Sequence, residues 1–221
     1  RAMVFSKRME ALADLCQGAR RVIDVGCDHA QLCALLVTEY GVEHAFASDI
    51  RPGPLENARR TIAELGLESR ITPVLSDGLD AFGPGDGDTV IIAGMGGEEM
   101  TLILSRAPWA GDNGGQVILQ PMTNIPKLRQ WLAENGYHVK KERVIQEGRK
   151  VYTAMNIQKG ADESGAREYA YLFGTALLQD PLWPLYKEKL LTKYGASARG
   201  QEQAGLSDTP EQRIFRLLQN L

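Results

Sequence analysis

Residues 20–36 read RRVIDVGCDHAQLCALL, and this stretch decides the fold. An apolar run ends in Asp-Val-Gly, a tight turn follows, and the apolar spacing then becomes helical, which is typical of the first strand of a nucleotide-binding α/β domain. Domains that bind dinucleotides carry Gly-x-Gly-x-x-Gly at this turn. Here Gly26 is followed by Asp28 and Ala30 instead of further glycines, so the nucleotide must be inferred from the rest of the chain.

The alternation of strand-like and helix-like segments continues beyond this stretch. It predicts strands within 20–25, 44–50, 71–78, 88–97 and 114–121, and helices within 30–39, 54–66, 98–107 and 124–136. Residues 137–159 then hold two β-rich segments joined through Glu147-Gly148 with no helix between them, which predicts a hairpin. A mostly parallel sheet that ends in an antiparallel hairpin resembles the large methyltransferase fold. By this analogy the fold class expected is a Rossmann-like, seven-stranded class I methyltransferase sheet, parallel with a C-terminal antiparallel hairpin.

The last quarter of the chain has a different composition. Residues 159–166, KGADESGA, form a small polar linker, and helices are predicted at 167–180, 181–195 and 209–221. Residues 195–207 are the most loop-like stretch. Apolar and aromatic residues at helical spacing in these segments, such as Trp183 and Leu190, predict packing stripes. We expect a methyltransferase domain over 1–160 and a small all-α C-terminal domain over 161–221.

Composition limits the class of protein. The 221 residues are 43% hydrophobic and 24% charged, with a net charge of −3. No apolar run approaches the ~18 residues of a membrane span and no signal peptide is evident, so we expect a cytoplasmic protein without a membrane partner. Cys16, Cys27 and Cys33 lack the spacing of a metal site, which predicts no metal, no disulfide and reduced, partly buried thiols.

Acidic residues follow three consecutive strands, and they favour one cofactor. Asp24 and Asp28 flank the first turn, where their carboxylates would repel the phosphates of a dinucleotide. The same carboxylates can bind the amine of a ligand, and the main-chain N–H groups of the turn can bind its carboxylate. Asp49 is placed to accept hydrogen bonds from the hydroxyls of a ribose. Asp77 could accept a hydrogen bond from the exocyclic amine of an adenine that lies against Gly78. Each acid alone has the alternative role of a helix cap. Together they predict S-adenosylmethionine rather than NAD.

The fourth strand ends in IIAGMGG, residues 91–97. Gly94, Met95, Gly96 and Gly97 offer backbone groups and a slim surface to a flat substrate at the carboxyl edge of the sheet, where ligands bind in such folds. The alternative is a turn whose glycines serve packing. After the fifth strand, Gln120 and Asn124 add uncharged donors and acceptors.

Five strings carry a family resemblance: FSKRMEALA, DVGCDHA, SDGL, IAGMGG, and LQPMTN followed by LRQWL. In this order they resemble the bacterial tRNA (adenine-22-N1)-methyltransferase family, the TrmK-like proteins, over nearly the whole chain. The resemblance implies an S-adenosylmethionine-dependent enzyme that methylates N1 of adenine 22 in tRNA. The positions that match its cofactor site are Asp24, Gly26, Cys27, Asp28, His29, Asp49, Ile50, Asp77, Gly78, Ala93, Gly94 and Met95.

The methyl transfer that the resemblance implies depends more on the orientation of the adenine than on a general base. Adenine N1 presents its own lone pair at neutral pH, so in-line orientation against the methyl donor supplies most of the rate. We expect Gly94 and Met95, with Gln120 or Asn124, to hold the adenine edge, and Asp28 to be a secondary candidate for orienting the base or relaying a proton. The substrate side of the site would also include Gly96 and Gly97.

Basic pairs supply candidate phosphate contacts for tRNA. Lys7 and Arg8 are the first of them, with Arg8 alternatively in a structural salt bridge near the cofactor loop; the others are Arg20-Arg21, Arg59-Arg60, Lys140-Lys141 with Arg143, and Arg149-Lys150. A base inside folded tRNA must also be flipped out to react. We expect a monomer. Two other functions stay open: methylation of a different acceptor, and a non-catalytic nucleotide- or RNA-binding protein of the same fold.

Overall fold

A computed structural model describes residues 3–161 and 172–221, and its core is a seven-stranded sheet of order β3-β2-β1-β4-β5-β7-β6. Strands β1 to β5 are parallel, and β7 is antiparallel to both β5 and β6. The strands are β1 Arg21–Val25, β2 His44–Asp49, β3 Ile71–Leu75, β4 Thr89–Met95, β5 Gln116–Pro121, β6 Tyr137–Glu147 and β7 Lys150–Lys159. The predicted class I methyltransferase sheet and its closing hairpin are confirmed.

Seven α-helices accompany the sheet in the described residues. They are α1 Lys7–Leu15, α2 Gln31–Glu39, α3 Pro52–Glu64, α4 Gly97–Arg106, α5 Ile125–Glu134, α6 Trp183–Gln203 and α7 Pro210–Gln219. Two local signals set their starts: the Ser6 hydroxyl accepts the backbone N–H of Met9 at 3.1 Å to cap α1, and Pro52 opens α3 at a position whose N–H has no helical partner.

The central strands are buried on both faces, as parallel strands usually are. In β1, Val22 packs in the core formed with α1, α2 and α3, whereas Ile23 and Val25 pack in the core formed with α4 and α5. Successive side chains of β4 alternate in the same way, with Ile91 in the first core and Val90 and Ile92 in the second. The carboxyl ends of these strands are therefore held rigidly at one edge.

All three cysteines are fully buried and free, which is more burial than the partly buried thiols expected from the sequence. All three pack in the core with α1 and α2, with Cys27 in the loop after β1. Burial raises the pKa of the thiols of Cys27 and Cys33. These side chains therefore pack as small apolar groups.

The C-terminal helices correct the prediction in one place. Residues 195–207 were expected to form a loop, yet α6 runs without a break to Gln203. A Cβ on Gly195 would lie 2.9 Å from the ring of Phe215 on α7, and Ala198 is buried, so these small residues allow two helices to approach closely. Helix packing outweighs the low helix propensity of this segment.

The helix predicted for 167–180 is a shorter feature in the part that the structure describes. Residues 167–171 lie outside it, and Thr175–Gln179 is a 3₁₀-helix. The helices predicted within 181–195 and 209–221 are confirmed as parts of α6 and as α7. A third apolar cluster, which includes Phe173, Trp183 and Tyr186, packs on Val144 of the hairpin, so the expected packing stripes are confirmed.

A buried ion pair lies beside that cluster. The Arg129 guanidinium on α5 donates to the Glu142 carboxylate on β6 at 2.5 Å, with both side chains at least 96% buried. Gly174 lies against this carboxylate so closely that any side chain there would overlap it. The pair therefore links α5, the hairpin and the segment that leads into α6.

Candidate active site

The main pocket, of about 510 Å³, opens at the carboxyl edge of the sheet beside β1 and β4, where the strand order reverses. Ends of the first four strands and the exposed side of α4 form its walls. Its lining residues are Val25, Gly26, Asp28, Asp49, Ile50, Arg51, Ser76, Asp77, Gly78, Ala93, Gly94, Met95, Glu99, Leu102, Ile103 and Arg106. Nine of the residues predicted for the cofactor lie among them, which places loops far apart in the sequence around one cavity.

The loop after β1 is held in a strained left-handed form. Gly26, Asp28 and Ala30 have φ values of 75°, 50° and 56°, and the N–H groups of Gly26 and Cys27 donate to the Ser48 carbonyl at 2.9 Å. A Cβ on Gly26 would lie 2.8 Å from the terminal methyl of Met95. Gly26, the one glycine of the dinucleotide-binding pattern that is present in this chain, is thus required both by backbone conformation and by space.

Asp24 is buried behind this loop. Its side chain is 4% exposed, accepts from the Cys33 thiol at 3.7 Å, and burial raises its carboxyl pKa from the ordinary 3.8 to about 7. It lines a smaller cavity of about 80 Å³ that shares Gly26, Asp28 and Ala93 with the main pocket. His29, which is exposed and 3.6 Å from the Asp28 carboxylate, lines the same small cavity.

Arg8 also reaches this small cavity. Its guanidinium donates to the Gln120 side-chain oxygen at 3.5 Å, and its Nε is buried with no hydrogen-bond partner among the described residues. Its backbone N–H donates to the Glu147 carboxylate at 3.1 Å. The structure therefore places the Arg8 side chain half-buried beside the loop after β1, while the neighbouring Lys7 is exposed.

The end of β2 supplies a second buried carboxylate. Asp49 is 6% exposed, and its Oδ1 accepts the backbone N–H of Arg51 at 2.9 Å, with the Arg51 Nε 3.6 Å away. This bond fixes the carboxylate at the pocket wall. Ile50, 58% exposed, presents an apolar side chain to the same pocket, as an apolar face for a flat ring requires.

The end of β3 carries Asp77 and Gly78, and an arginine from α4 holds the acid. Arg106 donates to the Asp77 carboxylate at 3.0 Å and to the Asp80 carboxylate at 3.1 Å. Gly78 has a φ of 56°, and a Cβ there would lie 3.0 Å from Ile103. Arg106 and Leu102 could not be predicted from the sequence, because α4 returns over the end of β3 only in three dimensions. The one signal in the sequence was an apolar residue, Leu102, beside polar residues of α4; in the structure it is exposed.

The glycines after β4 divide into two groups. Gly94 is exposed with a φ of 75°, beside an irregularity in the pairing of β4 with β5 between Ala93 and Met95. A Cβ on Gly97 would lie 2.8 Å from the carbonyl oxygens of Thr123 and Asn124, and one on Gly96 would lie 2.9 Å from the Thr123 hydroxyl. Gly94 and Met95 therefore face the pocket, whereas Gly96 and Gly97 pack against the turn after β5.

Gln120 and Asn124 are placed very differently. Gln120 is completely buried, between the Arg8 guanidinium and the Met122 sulfur, to which its amide donates at 3.2 Å. Asn124 is exposed, has a φ of 54°, and makes no side-chain cap to α5. A substrate at this edge thus meets the exposed Asn124 and the 45% exposed Met122 before it meets Gln120.

In residues 3–161 and 172–221, no three His, Cys, Asp or Glu side chains are grouped as metal ligands. None of the helices described there is long and apolar enough to cross a membrane.

Comparison with known proteins identifies the family. The model of a methyltransferase domain family matches residues 5–155. The tRNA (adenine(22)-N(1))-methyltransferase of Bacillus subtilis is 31% identical over 166 residues, which cover 75% of this chain and 68% of that enzyme. The chain belongs to the tRNA (adenine(22)-N(1))-methyltransferase family. Membership confirms both the resemblance found in the sequence and the prediction of a methyltransferase.

Solved structures agree with this membership along almost the whole chain. Streptococcus pneumoniae Sp1610 in complex with S-adenosyl-L-methionine is similar with a TM-score of 0.85 and 27% identity, covering 98% of this chain and 99% of that one. M. capricolum TrmK in complex with S-adenosyl-homocysteine is similar with a TM-score of 0.75 and 25% identity, covering 99% of this chain and 94% of that one. The similarity therefore includes the C-terminal helices as well as the sheet.

Proposed function

We propose that this member of the family methylates N1 of adenine 22 in tRNA, with S-adenosylmethionine as methyl donor. The observation that carries the proposal is the pocket at the switch point, which is lined by the buried Asp49 and the exposed backbone of Gly94 and adjoins the small cavity that holds the buried Asp24. The pocket has acids where a dinucleotide site has its phosphate-binding glycines, which suits a cofactor without phosphate.

The residues present fit that cofactor. Asp49 would accept from the ribose hydroxyls, and Asp77 with Gly78 would receive the adenine beside Ile50. The Asp24 and Asp28 carboxylates suit the amine, and the buried, unpartnered Nε of Arg8 suits the carboxylate. Backbone around Cys27, with the rim formed by His29 and Ala93, completes the enclosure. When bound, the cofactor supplies a methyl group on a positively charged sulfur.

The role of the chain in the methyl transfer is to hold the adenine. Gly94 and Met95 form the inner face of the site, and the exposed Asn124 side chain is available to the Watson–Crick edge of the base. Gln120 acts from beneath by fixing Arg8. Asp28 lies exposed at the rim, where it would orient the base or accept a proton as positive charge develops. Because N1 has its own lone pair, orientation contributes more than any base.

The RNA must present a flipped base to this edge. Flipping costs a few kcal/mol, which phosphate contacts and stacking offset. Lys7 is exposed at the start of α1, directly before Arg8, and is the predicted phosphate contact on that helix. Gly96 and Gly97 keep the substrate side of the site narrow, since any side chain there would meet the turn after β5.

Three further parts of the proposal concern organisation. Residues 1–160 would form the methyltransferase domain and 161–221 a helical domain that helps to hold the RNA body. We also propose that the enzyme acts as a monomer. A tRNA substrate makes the cytoplasm the expected compartment.

The test is transfer of labelled methyl groups from S-adenosylmethionine to unmodified bacterial tRNA transcripts, with the product nucleoside identified by mass spectrometry. N1-methyladenosine is expected, and it should disappear from a transcript in which adenine 22 is replaced. Cofactor binding without transfer to any tRNA would overturn the substrate assignment and favour another methyl acceptor or a non-catalytic role.

A further inference from the structure

Two basic segments far apart in the sequence meet at the tip of the hairpin. The turn between β6 and β7 holds Arg149, and Lys150 opens β7; both are exposed. Glu147, just before the turn, accepts the backbone N–H of Arg8 at 3.1 Å. That bond fixes the start of α1, and with it the exposed Lys7, beside the hairpin tip.

Helix α6 extends the positive charge on the other side of the tip. The Lys189 ammonium donates to the Val151 carbonyl at 2.6 Å and lies 5.8 Å from the centre of the Tyr152 ring. Lys193, one helical turn further along α6, lies 5.5 Å from the centre of the Tyr194 ring. We refer to Lys7, Arg149, Lys150, Lys189 and Lys193 together as the hairpin basic strip.

The charges of the strip are not neutralised within the described residues. None of the five side chains forms an ion pair with a carboxylate there, whereas Arg20, Arg106 and Arg143 do so elsewhere on the surface. The acids near the strip are Glu147, which binds the backbone of Arg8, the exposed Glu188, and Glu211 on α7. Burial, and then the charge of Glu211, raise the pKa of Tyr194 beside Lys193. Burial, and then the charge of Lys193, lower the pKa of Lys189, so the two lysines repel each other electrostatically.

We propose that the hairpin basic strip is the track along which the RNA backbone runs from the methyl-transfer pocket to helix α6. The strip begins at the residue before Arg8, which reaches the pocket, and it ends on the C-terminal helices. Unpaired lysines and arginines beside tyrosine rings suit a polyanion that also presents bases. This inference rests on the proposed function, because it takes the RNA to be the methyl acceptor.

The experiment uses the full chain and measures tRNA affinity at several salt concentrations. The variants are R149Q/K150Q and K189Q/K193Q, and R59Q/R60Q is the comparison. The sequence offered Arg59 and Arg60 as a phosphate contact too, but they lie exposed on α3, beside β2 and β3 at the opposite end of the sheet from the hairpin, so an RNA that follows the strip does not reach them. Each strip variant should lose roughly tenfold in affinity near 0.15 M salt. Each should also reduce the slope of log affinity against log salt by about 1.5 to 2, as expected for two phosphate contacts.

The comparison variant should stay within about twofold of the wild type, and all variants should keep the wild-type affinity for S-adenosylmethionine. Strip variants with unchanged tRNA affinity and slope, in a wild type that methylates tRNA, would overturn the strip alone. A wild type that neither binds nor methylates tRNA would overturn the proposed function as well. Loss of binding to anionic phosphatidylserine vesicles with tRNA binding intact would assign the strip to a lipid surface instead.

Discussion

The guanidinium of Arg8 lies 3.5 Å from the side-chain oxygen of Gln120, across the exposed backbone of Gly94. An arginine that the sequence offered as a contact to RNA phosphate is therefore turned inward, over the strand ends. Its buried Nε has no partner among the described residues, and buried donors are seldom left without one. An anionic group of the cofactor is the partner that the proposed site supplies.

Arg8→Met should weaken S-adenosylmethionine binding by about ten- to a hundredfold, the range of a lost charge-assisted hydrogen bond. Binding of 5′-methylthioadenosine, which lacks the amino-acid part, should be unaffected. Titration calorimetry on both ligands checks this, with Lys7→Met as the control that leaves both unchanged. Equal losses for the two ligands would contradict the assignment, and so would an effect confined to tRNA.

Asp24 gives the chain a pH-dependent stability. Its carboxyl pKa is raised from 3.8 to about 7, so between about pH 4 and pH 7 the folded chain keeps a proton that the unfolded chain has lost. The free energy of unfolding therefore falls as pH rises through that window, by about 4 kcal/mol in all. Asp24→Asn, which stays uncharged, should be similar in stability to the wild type near pH 4 and more stable at pH 8.

Urea unfolding of both chains across this pH range makes the comparison. The difference between variant and wild type is the informative quantity, because the other titrating groups are common to both. A difference that stays constant from pH 4 to pH 8 would mean that Asp24 is charged in the fold at all these values.

Gly97→Ala should lower the free energy of unfolding by about 1–3 kcal/mol, the usual cost of overpacking. The new methyl would lie 2.8 Å from two backbone carbonyl oxygens, which cannot rotate away as a flexible side chain can. Gly53→Ala on α3 is the control, because nothing lies within 4 Å of a Cβ there. Chemical denaturation distinguishes the two, and equal stabilities would refute the packing role of Gly97.

Removing one partner of the Arg129–Glu142 pair should lower the free energy of unfolding more than replacing both partners by apolar residues. Glu142→Gln should cost about 3–5 kcal/mol, since it leaves a guanidinium that is 4% exposed without its counter-charge. The double variant R129M/E142L should be closer to the wild type than Glu142→Gln is. Glu43→Gln, at an ion pair whose side chains are 72% and 56% exposed, serves as the control and should cost at most about 1 kcal/mol.

Thermal and urea unfolding would rank these four chains. If the double variant proved as unstable as Glu142→Gln, the loss would come from packing around Gly174 and the hairpin, and the buried charge would not be its cause.

The sheet was predictable because its signals are local. Strands β1 to β5 are apolar runs, with amphipathic helices between them except between β3 and β4, and the Glu147-Gly148 turn marks the hairpin. Residues 195–207 were not predictable in this way, since Gly195 and Ala198 look like loop residues until α7 packs on them. Small side chains in a sequence are compatible either with a flexible loop or with the close approach of two helices. Which of the two forms depends on whether another helix packs against them.

The site shows the same division. Asp24, Asp49 and Asp77 could be found because each lies at or shortly after the carboxyl end of a strand of a parallel sheet, where strand ends converge. Arg106 and the inward turn of Arg8 could not, because each depends on a helix crossing over a strand end that is distant in sequence. The roles of Gly96 and Gly97 depend likewise on the turn after β5.

The position of β7 between β5 and β6 has a consequence for biosynthesis. All residues that line the main pocket lie before residue 107, but the strand that covers the open side of β5 is completed only at Lys159. While a ribosome translates the residues between Pro121, where β5 ends, and Lys159, the nascent chain exposes an unpaired, apolar strand edge of the kind that recruits other chains. The hairpin therefore covers this edge only late in synthesis, after all residues that line the pocket have been translated.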